Sequence, residues 1–413
     1  MKRLRPVLAL FLLLAPLAEA EMLPGFRAET LGTAPGFVSS IVADSQNNIY
    51  FTTTDGWIYR LESGESIRVA SLPTTAGGNA GLLGMALIDD RTAVVHYTTW
   101  EGSKVLDDVI SRVDLVTGAE EVLAVFPCDI NNRQNGASSE HHGGNPIVTP
   151  DGSIFVGIGE YGGRVAAQRV DWHGGKIYRI ESDGSTSQFA LGLRNPYDLA
   201  WEPETQRIIV ADNGPDGGDE IHVIDQGANC GWPETFGNEP QMIGAVAPDY
   251  VFPHTVAPTG LARMSGAGSI VRRGYLLATF VSRAIYYFPD LAEQPVPDPI
   301  AIVNDFDDFI IDVTEAASGE IYFATAMFPA SSAIHRLVVP LRGDCNGDGF
   351  ADGRDVMAVM RELDESPAQP MIHAQDGAHA GSWGCDVTAD GLIDSRDLER
   401  LKSKFLKKRA VRR

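Results

Sequence analysis

The chain has 413 residues, 44% of them hydrophobic and 21% charged, a balance that excludes disordered and fibrous proteins. Its 43 glycines and 24 prolines follow no triplet period, which excludes collagen and favours the many turns of an all-β chain. The formal net charge of −22 argues against nucleic-acid binding, which needs a cationic surface, and favours calcium, sugars or basic partners.

The first 20 residues have the pattern of a secretory signal peptide. Basic residues come first, an apolar run over residues 6–18 follows, and the small residues Ala18 and Ala20 stand where signal peptidase reads the chain. The run is too short to span a bilayer as a helix, and no later segment is long and apolar enough. The sequence therefore predicts a secreted protein, extracellular or periplasmic, with a signal peptide over residues 1–20 and no transmembrane segment.

From residue 36 to about residue 338 a pattern of two short apolar strands joined by a turn recurs six times. The paired segments are residues 49–51 with 58–60, 94–96 with 110–112, 154–156 with 177–179, 208–210 with 221–223, 276–278 with 285–287, and 321–323 with 334–336. The first segments start roughly 45 to 70 residues apart, which leaves room for the four strands of one propeller blade.

Two other architectures explain the repeats less well. A solenoid would need a shorter and stricter repeat. Two β-sandwiches would not explain the recurring Asp-Gly and Ser-Gly turns at residues 151–152 and 318–319. The sequence therefore predicts an all-β, six-bladed β-propeller over residues 21–340.

After Pro340 the composition changes to two loops that are rich in Asp and Gly. Each loop places oxygen ligands at positions 1, 3, 5, 9 and 12 and a backbone carbonyl at position 7, as an EF-hand calcium loop requires. The predicted metal ligands are Asp344, Asn346, Asp348, Phe350, Asp352 and Asp355 in the first loop, and Asp386, Thr388, Asp390, Leu392, Asp394 and Asp397 in the second. A helix-compatible stretch follows each loop, but the first has no room for an entering helix.

This duplicated arrangement resembles a type I dockerin over about residues 344–406. The resemblance implies a small α-helical calcium-binding domain over residues 341–413, with a basic tail, that docks to a cohesin-like protein. In that family loop positions 10 and 11 help choose the partner, and here they are residues 353–354 and 395–396. Thr388 replaces the usual Asp or Asn and is expected to weaken the second loop. The alternative is that the ions only fold the domain.

The propeller carries its chemically informative residues on loops between strands. His141 and His142 precede a Gly pair, and Glu160 and Arg194 follow in later loops. An imidazole can take a proton from a hydroxyl, a carboxylate can fix its tautomer, and an arginine can stabilise a developing negative oxygen. These are parts of an oxidation or hydrolysis site, although each residue taken alone also fits a surface turn or a structural ion pair.

The order and spacing of the whole set closely resemble the glucose/sorbosone dehydrogenase family over about residues 36–338. These are soluble PQQ-dependent aldose sugar dehydrogenases with a six-bladed propeller. The resemblance implies oxidation of an aldose to its lactone, with calcium and PQQ as cofactors and an external electron acceptor.

The resemblance also implies a role for each matching residue. His141 is the base that deprotonates the anomeric hydroxyl, Glu160 is the carboxylate that orients it, and Arg194 stabilises charge on the quinone. His142 shapes the pocket. The implied cofactor contacts are the carbonyls of Gly214 and Pro215, which bind calcium, and the residues Asn195 and Thr255, which contact PQQ.

Several positions depart from the family pattern. PQQ carries three carboxylates, which need cationic partners when buried. Family enzymes supply a Lys from the fifth blade and an Arg-x-Arg pair from the sixth. Here residues 280–283 offer only Arg283, and residues 307–313 contain no Arg and extra acids. The candidate substitutes are Arg133, Arg164, Arg272 and Arg273.

Two alternatives stay open beside the dehydrogenase. The propeller is a non-catalytic binder of a glycan or protein that has lost the PQQ site, or it is a calcium-dependent lactone or ester hydrolase. The hydrolase would need carboxylates at the central channel, and the sequence reveals no convincing set. The four cysteines also allow disulfides, with Cys128–Cys230 and Cys345–Cys385 as one of three pairings.

Overall fold

The computed structural model describes residues 21–405 except positions 24, 103, 129–139, 216, 240, 266–272, 292–293, 328–330, 347–349, 366–368, 371–381 and 389–391. In all six repeats the two predicted segments lie in adjacent antiparallel strands, with Phe51 opposite Tyr59 and Phe323 opposite His335 as examples. The predicted six-bladed propeller is therefore confirmed. The predicted signal peptide lies outside the described residues.

Two strands, β1 (Glu21–Met22) and β2 (Arg27–Ala34), precede the first blade. Blade 1 contains β3 (Val38–Ala43), β4 (Ile49–Thr53), β5 (Trp57–Glu62) and β6 (Glu65–Ser71). Blade 2 contains β7 (Leu82–Leu87), β8 (Thr92–Glu101), β9 (Lys104–Asp114) and β10 (Glu120–Pro127). Blade 3 contains β11 (Ile147–Val148), β12 (Ile154–Ile158), β13 (Lys176–Ile180) and β14 (Thr186–Leu191), with a 3₁₀-helix at Arg164–Gln168.

The second half of the ring repeats this order. Blade 4 contains β15 (Pro196–Glu202), β16 (Arg207–Asp212), β17 (Glu220–Ile224) and β18 (Tyr250–Val251). Blade 5 contains β19 (Pro258–Met264), β20 (Gly274–Thr279), β21 (Ala284–Phe288) and β22 (Ile300–Asn304). Blade 6 contains β23 (Phe309–Glu315), β24 (Ile321–Met327) and β25 (Ser331–Val338).

The N-terminal strands complete the last two blades. Strand β2 pairs antiparallel with β25, from Arg27 opposite Val338 to Ala34 opposite Ser332, and becomes the outer strand of blade 6. Strand β1 pairs with β22 and gives blade 5 a fifth strand. Because blade 6 combines both ends of the propeller segment, main-chain hydrogen bonds close the ring.

The core of the propeller lies between the blades. The inner strands β3, β7, β11, β15, β19 and β23 each contact the next one around the ring, and β23 contacts β3. Six clusters of buried apolar side chains each join two neighbouring blades. Each blade is hydrophobic on both faces for this reason, and its polar groups concentrate in the loops and along the central channel.

The C-terminal part contains α1 (Gly353–Glu365), α2 (Ser382–Cys385) and α3 (Ser395–Phe405), with the short strands β26 (Gln369–Pro370) and β27 (Leu392–Ile393) paired. Helices α1 and α3 each follow one predicted calcium loop and pack against each other. Val359 and Leu401 are buried in their shared core. The predicted small α-helical domain is thus confirmed. None of the helices in the described part of the chain has the length and apolar character needed to cross a membrane.

All four cysteines are buried free thiols, so neither disulfide considered above is formed in this structure. Cys128 lies in the core between blades 2 and 3, whereas Cys230 lies in the core between blades 3 and 4. Cys345 and Cys385 share the core of the C-terminal domain without a bond. The partners of Cys128 and Cys230 are polar side chains of their own blades.

Candidate active site

His141 and Glu160 form a hydrogen-bonded pair in the loops of blade 3. The Nδ1 atom of His141 lies 2.8 Å from Oε1 of Glu160. The His141 side chain is 16% exposed and that of Glu160 is 2% exposed, so the imidazole reaches solvent while its partner does not. Because an ionised carboxylate only accepts hydrogen bonds, Nδ1 carries the proton and Nε2 is left to accept one.

Backbone contacts fix this pair in place. The amide of Tyr161 donates to the carbonyl of His141 at 3.1 Å, and the amide of Glu160 donates to the carbonyl of Arg194 at 2.9 Å. A side chain at Gly159 would collide with the His141 carbonyl, so glycine is needed for this approach. Oε2 of Glu160 is buried and has no hydrogen-bond partner among the described residues, which leaves a polar atom available to a bound group.

Arg194 is held beside this pair by blade 4. Its Nη1 atom donates to the carbonyls of Asn213 at 2.8 Å and Gly214 at 2.9 Å. The guanidinium also lies 5.7 Å from the ring centroid of Trp232. Trp232 is not among the site residues that the sequence analysis predicted. The stacked and hydrogen-bonded guanidinium is a fixed positive charge at the site.

The buried carboxylate of Asp212 positions Arg194 and Asn195. It accepts hydrogen bonds from the amide of Arg194 at 2.9 Å and from the amide of Asn195 at 2.6 Å. Burial, followed by the nearby charge of Glu220, raises the pKa of Asp212 to about 7. The sequence analysis missed Asp212, although an Asp that ends a strand just before a Gly-Pro turn is a usable signal. The Asn195 side chain in turn accepts from the amide of Gly143 at 3.0 Å.

A second buried acid, Asp219, fixes the loop that carries Gly214. It accepts from the amide of Gly214 at 3.0 Å and from the amides of Val256 and Ala257 at 2.7 and 2.8 Å. Burial raises the pKa of Asp219 despite these donors. This carboxylate ties the blade 4 loop to the entry of blade 5.

The two carbonyls predicted to bind calcium already accept hydrogen bonds. The carbonyl of Gly214 accepts from Arg194, and that of Pro215 accepts from the amide of Gly218 at 2.8 Å. Thr255 accepts from the amide of Gly217 at 2.9 Å and so holds the same loop. A calcium ion at Gly214 would therefore compete with the Arg194 guanidinium for this carbonyl, because the two positive charges repel each other.

A cavity of about 450 Å³ lies at the mouth of the channel next to Asn195 and Asn213. Phe280, which stacks on Phe309 with centroids 4.3 Å apart, forms part of its wall. Asn79, where the family commonly has Gln, lines it as well. Among the residues that the structure describes, the lining contains no Lys or Arg, so this part of the cavity offers flat apolar walls but not the cations that a buried trianion needs.

Of the arginines considered as substitutes, Arg273 and Arg283 are paired with acids elsewhere. Arg283 pairs with Asp305, and Arg273 pairs with Glu204. Arg164 alone of the described candidates is near the site, 5.4 Å from the centroid of the Trp232 indole against which Arg194 also packs. Arg133 and Arg272 lie outside the described residues. The residues present therefore fit the groups that act on a sugar hydroxyl better than they fit PQQ.

Two carboxylates do line the central channel, which corrects the expectation that it has no such set. Asp198 on β15 accepts from the amide of Leu261 at 2.7 Å, and Asp312 on β23 accepts from the amide of Ile41 at 2.8 Å. Burial raises the pKa of Asp312 to about 7 and that of Asp198 well above its usual range. Each carboxylate links its blade to the inner strand of the next one, so their contacts are those of structural connectors.

The two predicted calcium loops have matching local geometry. In the first, Asp355 accepts from the amides of Cys345 at 2.8 Å and Asp352 at 2.6 Å. In the second, Asp397 accepts from the amides of Thr388 and Asp394, both at 2.9 Å. These buried carboxylates close their loops at position 12. Asp348 and Asp390 lie outside the described residues.

The remaining predicted ligands differ in exposure and partners. Asp344 and Asp386, at position 1 of each loop, are buried, and the amide of Asn346 donates to Asp355 at 3.3 Å. Position 7 of each loop is predicted to bind the ion through its backbone carbonyl. At this position Phe350 has an exposed side chain, and Leu392 is the first residue of β27. The Thr388 hydroxyl donates to Asp397 at 3.0 Å, so it satisfies a neighbouring ligand.

An arginine faces position 9 of each loop. Arg354 lies 2.9 Å from Asp352, and Arg396 lies 2.6 Å from Asp394. These hydrogen bonds lower the pKa of both aspartates. The arginines therefore compete with a cation for the same oxygens.

Comparisons with known proteins agree with both parts of the chain. Residues 38–331 match the Glucose / Sorbosone dehydrogenase family, and residues 342–406 match the Dockerin type I domain. An aldose sugar dehydrogenase of Escherichia coli is 31% identical over 111 residues, 24% of this chain and 30% of the relative. Quinoprotein glucose dehydrogenase B of Acinetobacter calcoaceticus is 27% identical over 243 residues, 46% of this chain and 49% of the relative. The chain thus spans less than half the length of these curated relatives.

A solved structure shows the same fold. The PQQ-bound aldose sugar dehydrogenase of Streptomyces coelicolor has a TM-score of 0.62 at 21% identity, covering 77% of this chain and 100% of that chain.

Proposed function

Because the chain belongs to the glucose/sorbosone dehydrogenase family, we propose that it oxidises the anomeric hydroxyl of an aldose and yields the lactone. The observation that carries this proposal is the 2.8 Å hydrogen bond between the partly exposed His141 and the buried Glu160. A base with one nitrogen oriented by a carboxylate and the other facing solvent is suited to deprotonating a sugar hydroxyl.

In the proposed reaction the hydroxyl proton moves to Nε2 of His141. The Glu160 carboxylate stabilises the imidazolium that results, and it keeps the ring from rotating. The Arg194 guanidinium stabilises negative charge that develops nearby. Oxidation also removes a hydride from the anomeric carbon, and the family implies that PQQ, held with calcium, would accept it. The described residues that line the cavity include no cation to pair with the carboxylates of PQQ.

The test is a calorimetric titration of PQQ into the calcium-loaded full-length protein, with a dye-linked aldose oxidation assay on the same sample. We expect one-to-one binding with turnover that depends on PQQ. Binding without turnover would contradict the assignment of His141 as the base. Absence of binding would contradict the proposed cofactor and favour the second function below.

The second candidate is a non-catalytic propeller that binds a glycan or protein. The described part of the cavity lining has no Lys or Arg and favours this function, because a neutral sugar needs amide and aromatic contacts rather than cations. Asn79, Asn195 and Phe280 offer such contacts. Calorimetric binding of neutral oligosaccharides to the PQQ-free protein, lost in Phe280→Ala, would support this function. Oligosaccharide binding that is unchanged in Phe280→Ala would argue against this cavity.

We further propose that residues 341–413 dock the protein, through calcium, to a cohesin-like partner. The duplicated loops with buried Asp355 and Asp397 support this. Full-length protein and a variant lacking residues 344–413 should be compared for binding to an immobilised cohesin, with calcium and with a chelator. We expect binding only by the full-length protein with calcium. Equal binding by the truncated variant would contradict docking through this domain.

We also propose that the protein is exported and that its chain has three functional segments. Residues 1–20 serve as a removable signal peptide, residues 21–340 as the propeller and residues 341–413 as the docking domain, so that the mature protein is secreted. N-terminal sequencing of protein recovered from culture medium or periplasm should begin at Glu21. Recovery of uncleaved protein from the cytoplasm would contradict this.

A further inference from the structure

Behind His141 lies a buried group of polar side chains that the proposed reaction does not use. His96 on β8 and Asp108 on β9 meet Cys128, just after β10, and His142 from the loop that carries His141. None of the four side chains is more than marginally accessible. Such residues are rarely buried together unless their charges and hydrogen bonds are mutually satisfied.

The donor atoms converge on the carboxylate of Asp108. Nδ1 of His142 lies 3.1 and 3.2 Å from its two oxygens, and Nε2 of His96 lies 3.2 Å from Oδ1. Sγ of Cys128 lies 3.4 Å from Oδ2. The ligand atoms of Asp108, Cys128 and His142 all lie within 4.8 Å of one another. Donors of a tetrahedral zinc ion, bound at about 2.0 to 2.3 Å, are separated by roughly 3.3 to 3.7 Å.

His96 shows that the carboxylate of Asp108 needs a positive charge beside it. The Nδ1 atom of His96 lies 2.9 Å from the carbonyl of Gly144, which can only accept a hydrogen bond, so Nδ1 carries a proton. In a neutral imidazole Nε2 is then an acceptor, and it faces Oδ1 of Asp108, which is also an acceptor. A buried pair of facing acceptors needs a proton or a cation beside it.

We propose that Asp108, Cys128 and His142 bind a divalent ion of the zinc class. One carboxylate and one thiolate supply two negative charges that the ion balances, and the His142 imidazole binds as a neutral ligand. Binding releases the thiol proton of Cys128 to solvent, and the proton that Nδ1 of His142 donates to Asp108 moves to the other ring nitrogen or to solvent. The mixed sulfur, nitrogen and oxygen donor set suits zinc rather than calcium.

The ion would act on the loop beside the reaction site. His142 follows His141 directly, and Gly144 accepts the hydrogen bond of His96. The aromatic ring of Tyr161, whose centroid lies 5.1 Å from that of His142, covers the group. A bound ion would therefore fix the loop of His141 from behind while leaving its imidazole at the surface of the site.

A second group offers a matched control. Asp212, Glu220 and His222 also lie within 4.8 Å of one another, near the equally buried Cys230. There, however, both oxygens of Asp212 accept amides of blade 4, and Glu220 accepts from Gly237 and lies against His222. Because these carboxylate oxygens are already occupied by backbone amides, replacement of Cys230 should leave metal binding unchanged.

The test uses cobalt as a spectroscopic substitute for zinc in the reduced full-length protein, with excess calcium to saturate the C-terminal loops. Wild type and Cys230→Ser should each bind one cobalt ion with a thiolate-to-cobalt charge-transfer band. Cys128→Ser should lose the band. Absence of the band in wild type, its survival in Cys128→Ser, or its loss in Cys230→Ser would overturn the proposal.

A second measurement uses only the wild-type protein, so it does not depend on whether the variants fold. X-ray absorption of the zinc-loaded protein should give one sulfur and three nitrogen or oxygen neighbours. A shell with no sulfur, or with two or more, would overturn the proposal. Neither measurement needs PQQ or a sugar, so its outcome is independent of the proposed oxidation.

Discussion

The C-terminal loops and the propeller site both use aspartates, but they use them in opposite ways. In the loops Asp352 faces solvent and an arginine, which lowers its pKa. In the propeller Asp212 and Asp312 are buried against backbone amides, and burial raises the pKa of each to about 7. The exposed Asp352 belongs to a calcium loop, whereas Asp212 and Asp312 connect loops and strands of the propeller. For these three residues the surroundings, not the residue type, separate a group of a predicted calcium loop from a structural connector.

The largest expected effect concerns the propeller site, where His141 is the proposed base. Replacement of His141 by alanine removes the base and should lower the rate of aldose oxidation by about 10² to 10⁴ fold. The dye-linked assay measures the rate, and calcium binding by the C-terminal loops should not change. The half-buried His173 of the same blade is the matched control, and His173→Ala should retain activity. Loss of activity in both variants would point to a general effect on the fold.

The pH dependence of stability tests the buried aspartates. A pKa of about 7 for Asp312 exceeds the ordinary value of an unfolded Asp, so the folded state binds the proton more tightly. Stability should therefore be greatest below about pH 4 for this group and fall as the pH rises to about 7. Each unit of pKa difference corresponds to roughly 1.4 kcal/mol as an upper bound.

The variant Asp312→Asn removes that titration. Its thermal unfolding in excess calcium should depend less steeply on pH between about pH 5 and about pH 8 than that of wild type. The slope is the readout, because the amide also changes the hydrogen bond to Ile41. Equal slopes in the two proteins would show that Asp312 ionises normally.

In the second calcium loop a substitution is expected to strengthen calcium binding. Thr388 uses its hydroxyl to donate to Asp397, and Thr388→Asp would add a carboxylate at position 3. We expect calcium to bind the second loop about tenfold more tightly, since affinity follows the charge of the ligand set. Calorimetric calcium titration measures this, with Asn346→Asp in the first loop as the matched change. A weaker second site in Thr388→Asp would mean that the hydroxyl contact is needed for the loop.

The smallest effect concerns the arginines at position 11. Replacement of Arg354 by glutamine frees Asp352 from an exposed ion pair, and such pairs contribute about 1 kcal/mol or less. Calcium affinity of the first loop should rise about two- to fivefold at low salt and less at high salt. Arg396→Gln should do the same in the second loop. An affinity that falls in either variant would assign the arginine a supporting role in the loop.

The sequence predicted the parts of this molecule whose geometry is local or periodic. Six recurring strand pairs identified the propeller because every blade buries a similar pair of apolar strands. The calcium ligands from Asp344 to Asp355 lie in one twelve-residue loop, so their spacing alone indicated a site. The motif order also identified His141 and Glu160, which the structure brings to 2.8 Å.

Contacts between blades could not be predicted in the same way. Asp198 and Asp312 reach the channel because their strands shift register by one residue, and nothing in the local sequence marks that shift. The group around Asp108 joins residues from four separate segments, and Cys128 and Cys230, whose pairing the sequence left open, lie in the cores of different pairs of blades. Which side chains meet there depends on strand register and on the angle between neighbouring blades.

The closure of the ring by β2 has a mechanical consequence. Tension applied through the C-terminal domain enters the propeller at Val338, the end of β25. That strand lies between β24 and β2 and is hydrogen-bonded on both sides. A pull along β25 loads these bonds in parallel, as shear, instead of opening them one after another. Under such a pull the last blade would resist peeling away from the ring.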